Sequence, residues 1–178
     1  KDRPMLLAKS LEVDFANKKN TMFPEESHVV DSASLNATAK IIDFNISHSG
    51  NYIICVIAEN AKVGIDIEKH RTLKTNIADR YFDKNECNEI DIAEDPSKTF
   101  FDLWTLKESA IKCDGRGVEV LSKTHKQYET ENKNRVICDA ELFYYKKIEI
   151  EEKYSCCICS NKNFEITIQQ LTLKDLFS

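Results

Sequence analysis

Residues 63–68 read V-G-I-D-I-E, which alternates strictly between two kinds of side chain. A strand has a period of two, so the valine and isoleucines share one face while Gly64, Asp66 and Glu68 share the other. The pattern therefore predicts a strand with one face in a core. The two carboxylates lie about 7 Å apart along the backbone and repel each other unless solvent or a cation lies between them.

Two interpretations of this acidic face stay open. It is either an ordinary solvated strand face or a place where a metal binds. Gly64 favours the second interpretation, because a position without a side chain lets a ligand approach the backbone.

The chain before this strand gives three further predictions. Residues 52–58 form an uninterrupted apolar run, which predicts a strand buried on both faces. Residues 3–15 carry apolar side chains at helical spacing, which predicts a helix. Residues 17–40 lack such a pattern and are expected to form a loop-rich connector, with a short strand at residues 29–30.

The chain after this strand predicts a long helix. Asp95 is suited to be its N-cap and Pro96 to occupy its first turn, and the helix is expected to end near residue 113. Two shorter helices are predicted before it, over residues 75–82 and 83–92, and the second begins with a capping box.

One face of the long helix carries chemistry-bearing side chains. A helical wheel places Thr105 and Ser109 toward solvent and Glu108 at the border of the core. A carboxylate at such a border is either partly desolvated, with a raised pKa that suits a base, or paired with a cation. Lys112 lies one turn further on, so an ordinary surface Glu–Lys pair is an equally open interpretation.

Composition limits the class of protein. The 178 residues suffice for one domain or two small lobes, and with 42% hydrophobic and 31% charged residues they predict a soluble globular protein. No apolar run is long enough to span a membrane. A net charge of -5 disfavours a general nucleic-acid binder.

The seven cysteines indicate a reducing compartment. They are scattered, and no secretory signal precedes them, so a cytoplasmic protein is expected. Cys156 and Cys159 have the spacing of a metal-binding pair, but they lie in a strand-like run and have no second pair. Buried thiols in a core are therefore favoured over a zinc site.

Three segments, in this order, resemble the phosphopantetheinyl transferases of the surfactin-synthetase type. They are F-N-I-S-H-S at residues 44–49, G-I-D-I-E at 64–68 and W-T-L-K-E-S-A-I-K at 104–112. The resemblance implies transfer of the 4'-phosphopantetheine arm of coenzyme A to a serine of an acyl or peptidyl carrier protein, with release of adenosine 3',5'-bisphosphate. Such enzymes serve fatty acid, polyketide and nonribosomal peptide biosynthesis.

The resemblance also implies a role for each matching residue. Asp66, Glu68 and Glu108 would hold Mg²⁺, which binds proteins through few carboxylates together with phosphate and water. Glu108, directly or through a metal-bound water, would also accept the proton of the attacking serine. Lys112 would lie beside the departing α-phosphate, so Glu108, Lys112 and Asp66 form the expected catalytic set.

Coenzyme A would be held by a second set of residues. Lys107 and Lys112 would neutralise its pyrophosphate, and Ser47 and His48 would contact its phosphates. His48 is equally well explained as a structural histidine at a strand. Family members usually carry a longer N-terminal segment and a G-K-P turn, and only Lys40 is available here as the missing basic residue.

An apparent repeat predicts the architecture. Residues 52–68 and 154–169 both read as a buried run, a polar turn and an alternating strand, although two unrelated hairpins can share this composition. We expect an α+β protein with two similar lobes, residues 1–69 and 70–178, each with an antiparallel sheet and a long helix. A pseudo-twofold would relate the lobes, with the active site in the cleft between them.

The second copy of the repeat has lost the acidic residues. Asp66 corresponds to Thr167 and Glu68 to Gln169. We therefore expect one metal centre per chain and a monomer that is a pseudodimer.

A carrier-binding surface is expected between the second and third motifs. Its apolar anchors would be Tyr81, Phe82 and Ile90, although these residues are equally suited to a lobe core. Its basic residues would meet an acidic helix of the carrier and are Lys74, Arg80 and Lys84.

Two other functions stay open. One is a carrier-binding module without catalysis, and the other is a different Mg²⁺-dependent phosphoryl-transfer enzyme or phosphohydrolase.

Overall fold

The computed structural model describes residues 5–11, 41–72, 78–128 and 134–171. The elements in chain order are β1 (Met5–Leu11), β2 (Ile42–Ser49), β3 (Tyr52–Glu59), β4 (Val63–Lys69), α1 (Ala78–Tyr81), α2 (Lys84–Asp91), α3 (Pro96–Asp114), a 3₁₀ helix (Gly117–Lys123), β5 (Thr124–Lys126), β6 (Arg135–Cys138), β7 (Glu141–Lys147), β8 (Tyr154–Ser160) and β9 (Thr167–Leu171). Two sheets result, with strand orders β2-β3-β1-β9 and β4-β8-β7-β6-β5.

The predicted helix over residues 3–15 is wrong. Its described part is the strand β1, which lies between β3 and β9 in the first sheet. β1 runs parallel to β3 and antiparallel to β9, so its backbone is bonded on both edges by segments that are distant in sequence. Short apolar runs fit a helix or a strand, and here these long-range partners decide. The predicted connector and the strand at residues 29–30 lie outside the described residues.

The chain crosses between the two sheets twice after β3. β3 lies in the first sheet, and β4, which directly follows it, pairs with β8 in the second sheet. β8 lies in the second sheet and β9 pairs with β1 in the first. Helices and mainly antiparallel sheets confirm the α+β class, although the first sheet contains one parallel pair. The boundary at residue 69 and the pseudo-twofold stay predictions. Strand pairing crosses that boundary, and among the described residues a long helix occurs only in the second of the two expected lobes.

Burial of β3 differs from the predicted pattern. Ile54, Val56 and Ala58 are buried, but the residues between them are only half-buried. The strand therefore packs one face into the core and leaves the other partly open. β4 follows its prediction, with Val63, Ile65 and Ile67 in the core.

α3 begins and ends where its caps predict. The side chain of Asp95 accepts a hydrogen bond from the Lys98 N–H, and Gly115 ends the helix with a φ of 92°. α3 lies on the second sheet against β4 and β8. The solvent-facing prediction for Thr105 and Ser109 is wrong. Both are buried, because each hydroxyl donates to a backbone carbonyl of the preceding turn and needs no water.

The shorter helices are partly as predicted. α2 has the expected capping box between Asp83 and Glu86. The described part of the first helix is one turn, α1, because residues 73–77 lie outside the described ranges. Phe82 and Ile90 are buried in the core, so they are not available as carrier anchors.

The cysteines of β8 are core residues. Cys156, Cys157 and Cys159 are buried and unbridged, as the interpretation of small core side chains predicts. Within the described ranges, none of the helices combines the length and the apolar character that crossing a membrane requires.

Candidate functional site

A ladder of side chains joins the first sheet to the edge of the second. β4 is an edge strand, and alternate side chains of β2 point at its outer edge. Each of these side chains accepts a hydrogen bond from one backbone N–H of β4. The pairs are Asp43 with Val63 at 2.9 Å, Asn45 with Ile65 at 3.1 Å, Ser47 with Ile67 at 3.3 Å and Ser49 with Lys69 at 2.9 Å. This ladder satisfies an edge that would otherwise lack partners.

Asp66 is the most buried carboxylate of the predicted site. Its side chain projects from β4 and the residue is 5% exposed. Oδ1 accepts hydrogen bonds from Lys112 at 2.7 Å and from Ser47 at 2.9 Å. Oδ2 is buried and has no hydrogen-bond partner among the described residues. Burial raises the pKa of Asp66 by more than the Lys112 ammonium lowers it.

Lys112 connects α3 to β4. Besides Asp66, its ammonium donates to the Ile65 carbonyl at 3.1 Å and to the Ser47 hydroxyl at 3.3 Å. The side chain is 28% exposed, so the ammonium lies at the boundary between the core and solvent. Lys112 thus supplies a cation beside the buried carboxylate, and its expected contact with the departing phosphate stays a prediction.

Glu68 and Glu108 lie beside this pair. Glu68 accepts a hydrogen bond from Ser49 at 3.3 Å. Burial raises the pKa of Glu68, and the Asp66 carboxylate raises it further. Burial also raises the pKa of Glu108, with further contributions from Asp66 and Glu68 that Lys112 partly offsets. The Asp66 charge thus raises the pKa of both glutamates, so the three carboxylates lie near one another, and Lys112 and Arg71 offset part of their charge.

These residues fit a divalent cation that takes part of its coordination from elsewhere. Within the described ranges, no three His, Cys, Asp or Glu side chains converge closely enough to hold a metal by themselves. Asp66 nevertheless offers a buried oxygen without a partner among the described residues, and the Glu68 and Glu108 carboxylates lie near it. Mg²⁺ usually binds through one or two carboxylates, with phosphate and water completing its coordination. The full Asp66, Glu68 and Glu108 set stays a prediction.

Gly64 makes room for a helix rather than for a ligand. A Cβ built at this position would lie 2.1 Å from the Ser109 carbonyl oxygen and 2.4 Å from the Cys113 nitrogen, which are both backbone atoms of α3. The interpretation of Gly64 as a ligand approach is therefore wrong. Its missing side chain lets α3 pack closely on β4, and that packing brings Lys112 to Asp66.

Lys107 is not part of the cluster formed by Asp66, Glu68, Glu108 and Lys112. It is 1% exposed and forms an ion pair with Glu86 at 2.7 Å. Its ammonium also donates to the Thr124 carbonyl and lies 5.3 Å from the centre of the Phe82 ring. The expected contact of Lys107 with a pyrophosphate does not agree with this position. The Glu86 of the capping box is its buried partner, which the local sequence pattern did not indicate.

Ser47 and His48 point in opposite directions. Ser47 is buried against Asp66, whereas the neighbouring His48 is exposed on the other face of β2 beside Phe44 and Ile46. Successive side chains of a strand alternate between its faces. The two residues therefore do not face one common space, and of the two only His48 is open to solvent.

A cavity of about 550 Å³ lies beside Glu108. α1, α3 and the 3₁₀ helix form its walls, and it is lined by Arg80, Tyr81, Trp104, Glu108, Val118, Leu121 and Ser122. No motif in the sequence indicates the wall from the 3₁₀ helix. Val118 is 73% exposed at this wall, a property that the sequence does not report.

The fold and site define an α+β protein in which the edge strand of one sheet and a long helix bring carboxylates and a lysine together. Residues 62–159 match the family model of the 4'-phosphopantetheinyl transferase superfamily. The chain belongs to this superfamily.

Individual relatives agree with this assignment. The chain is 34% identical over 149 residues to the 4'-phosphopantetheinyl transferase gsp of Aneurinibacillus migulanus, covering 76% of this chain and 59% of the relative. It is 30% identical over 139 residues to the 4'-phosphopantetheinyl transferase Sfp of Bacillus subtilis, covering 75% of this chain and 62% of that protein. The matched part thus spans about three fifths of the length of these relatives.

Proposed function

We propose that the protein transfers the 4'-phosphopantetheine arm of coenzyme A to a serine of an acyl or peptidyl carrier protein. The observation that carries this proposal is the contact of Lys112 with Asp66, next to Glu68 and Glu108, at the motif positions of the family. One buried and two half-buried carboxylates with one lysine suit phosphoryl transfer, which needs positioning and charge neutralisation more than covalent help from the protein.

In the proposed reaction, the serine oxygen of the carrier attacks the phosphorus that bears the pantetheine arm. A new P–O bond forms to serine, the pyrophosphate P–O bond breaks, and adenosine 3',5'-bisphosphate leaves with the electron pair. Glu108 accepts the serine proton, and its raised pKa brings it closer to the pH at which a base works best. Lys112 neutralises charge on the leaving phosphate.

Asp66 and Glu68 are proposed to hold Mg²⁺ together with Glu108. The bound ion would neutralise charge on the pyrophosphate oxygens. The partnerless Oδ2 of Asp66 supports this assignment. His48 is the proposed phosphate contact on β2, because it is exposed where Ser47 is buried.

The cavity beside Glu108 is the proposed entry for the carrier serine. Tyr81 and Trp104 give it apolar walls, and the exposed Arg80 also lines it. Arg80 and Lys84 are exposed, so they are available to an acidic carrier helix. Lys74, the third basic residue of the expected surface, lies outside the described residues.

Two finer features belong to the same proposal. The protein acts as a monomeric pseudodimer whose two lobes are related by a pseudo-twofold. In both copies of the repeat the two strands lie in different sheets, β3 and β4 in one copy and β8 and β9 in the other, which supports such a relation. It works in the cytoplasm, and seven free thiols fit that reducing compartment.

The test uses Glu108→Gln, which removes one charge without a change of volume. We expect transfer to a panel of apo carriers, measured by the mass of the carrier, to fall at least about 100-fold. Without metal, the urea midpoint of the variant should equal or exceed that of the parent. The reason is that the variant lacks a carboxylate whose charged form is destabilised by burial and by the Asp66 and Glu68 charges. Glu94→Gln, in an exposed position just before α3, is the matched control and should transfer at the parent rate.

Each other outcome identifies a different function. Parent-rate transfer by Glu108→Gln would contradict the proposed role of Glu108. Tight carrier binding by the parent protein without a gain in carrier mass would indicate a binding module. Cleavage of coenzyme A without modification of any carrier would indicate a phosphohydrolase.

A further inference from the structure

Ser47 and Ser49 make the same pair of contacts. The Ser47 hydroxyl accepts a hydrogen bond from the N–H of residue 67 at 3.3 Å and donates to the Asp66 carboxylate at 2.9 Å. The Ser49 hydroxyl accepts from the N–H of residue 69 at 2.9 Å and donates to the Glu68 carboxylate at 3.3 Å. A hydroxyl has one proton to donate and two lone pairs, so it can make both contacts at once.

The other two members of the ladder make only the first contact. Asp43 and Asn45 accept the N–H groups of residues 63 and 65. The residue before each of those N–H groups is Lys62 or Gly64, and neither offers a carboxylate. Serine thus occurs at the two ladder positions whose N–H donors, residues 67 and 69, directly follow an acidic residue of β4. A carboxylate there would accept the N–H as well as Asp43 does, but it would repel its acidic neighbour.

We propose that Ser47 and Ser49 are positioning residues, which orient Asp66 and Glu68 as metal ligands, and that they do not bind coenzyme A. This inference rests on the proposed function, because it assigns a metal to these carboxylates. Ser47 is 7% exposed and its hydroxyl is engaged by Asp66, Lys112 and β4. Its donated hydrogen bond fixes Oδ1 of Asp66, and Oδ2 stays available for the ion.

The expected effect is on metal affinity. Partners that orient a metal ligand typically contribute about 10- to 100-fold to the affinity of the site. We expect Ser47→Ala to weaken the binding of Mg²⁺ alone, measured by calorimetric titration without coenzyme A, by at least about tenfold. Ser49→Ala should weaken it less, because the Ser49 contact is longer and Glu68 is less buried than Asp66.

The matched control is Asn45→Ala. It removes a ladder hydrogen bond of the same kind, to the N–H of residue 65, but no contact to a carboxylate. We expect Asn45→Ala to shift the urea midpoint by an amount comparable to the shift in Ser47→Ala. Its Mg²⁺ affinity should equal that of the parent. Ser49→Thr keeps the hydroxyl at a half-buried strand position and should restore Mg²⁺ affinity relative to Ser49→Ala. If Ser47→Ala does not fold, Ser49→Ala and Ser49→Thr still decide the inference.

Three results would overturn the inference. The first is parent-level Mg²⁺ affinity in both alanine variants with a raised apparent KM for coenzyme A, which would make the serines coenzyme A ligands. The second is an equal loss of Mg²⁺ affinity in Asn45→Ala. The third is a parent protein that binds no Mg²⁺ alone. If the parent protein binds Mg²⁺ but transfers no phosphopantetheine arm, the proposed function is wrong. If Ser47→Ala and Ser49→Ala nevertheless weaken its Mg²⁺ binding, the positioning role is supported.

Discussion

Gly64→Ala is expected to separate α3 from β4. The added Cβ would meet the Ser109 oxygen at 2.1 Å and the Cys113 nitrogen at 2.4 Å, whereas ordinary contacts begin near 3.4 Å. Both obstacles are backbone atoms, so a change of rotamer cannot relieve the clash. The helix must move by about 1 Å, and Lys112 moves with it away from Asp66.

The magnitude follows from these distances. Overpacking of a well-packed core typically costs about 1–3 kcal/mol, and we expect a loss at the upper end because the clash involves backbone. A displacement of about 1 Å in a site commonly costs about 100-fold in rate. Urea unfolding would measure the first effect, and transfer of the arm to an apo carrier would measure the second.

Gly115→Ala is the matched control. Gly115 has a φ of 92° and a Cβ there would meet nothing within 4 Å. The substitution should cost about 1–2 kcal/mol through backbone strain alone, and it should leave transfer near the parent rate. If Gly64→Ala keeps the stability and transfer rate of the parent, the reasoning that close packing of α3 on β4 positions Lys112 is refuted.

Three further predictions concern the buried ion pair, the carrier surface and the metal count. Lys107→Met should lower the free energy of unfolding by about 3–5 kcal/mol, because it leaves the Glu86 charge buried, and adding Glu86→Gln should recover part of this loss in urea titrations. Charge reversal at both Arg80 and Lys84 should raise the apparent KM for the carrier but not for coenzyme A, and no change in either would exclude this surface. Calorimetry with Mg²⁺ and coenzyme A should give one metal site per chain and sedimentation a monomer; two equivalent sites, or activity found only in a trimer, would contradict this.

The sequence predicts best what neighbouring residues decide. The alternation of β4 placed Asp66 on the correct face, because a strand pattern needs only its own residues. The caps of α3 were correct for the same reason, since Asp95 and Gly115 act on the backbone within one turn.

The errors arose where distant segments decide. β1 is a strand because β3 and β9 bond both of its edges, and no local pattern reports those partners. Thr105 and Ser109 were expected at the surface because they are polar, but a hydroxyl bonded to its own helix can be buried at little cost. Lys107 was expected to contact a pyrophosphate because of its motif position, whereas it forms a buried ion pair with Glu86 of the capping box.

The ladder explains why the F-N-I-S-H-S segment and the G-I-D-I-E segment act as one unit. Every second residue of β2 meets the edge of β4, and the residues between them, such as Phe44 and Ile46, face outward. A slip of one residue would bring apolar side chains to that edge and leave its N–H groups without acceptors, at about 1–3 kcal/mol for each buried group. It would also remove both serine hydroxyls from Asp66 and Glu68. The register that satisfies the backbone is therefore the register that orients the carboxylates, so the polar residues of β2 serve stability and the site together.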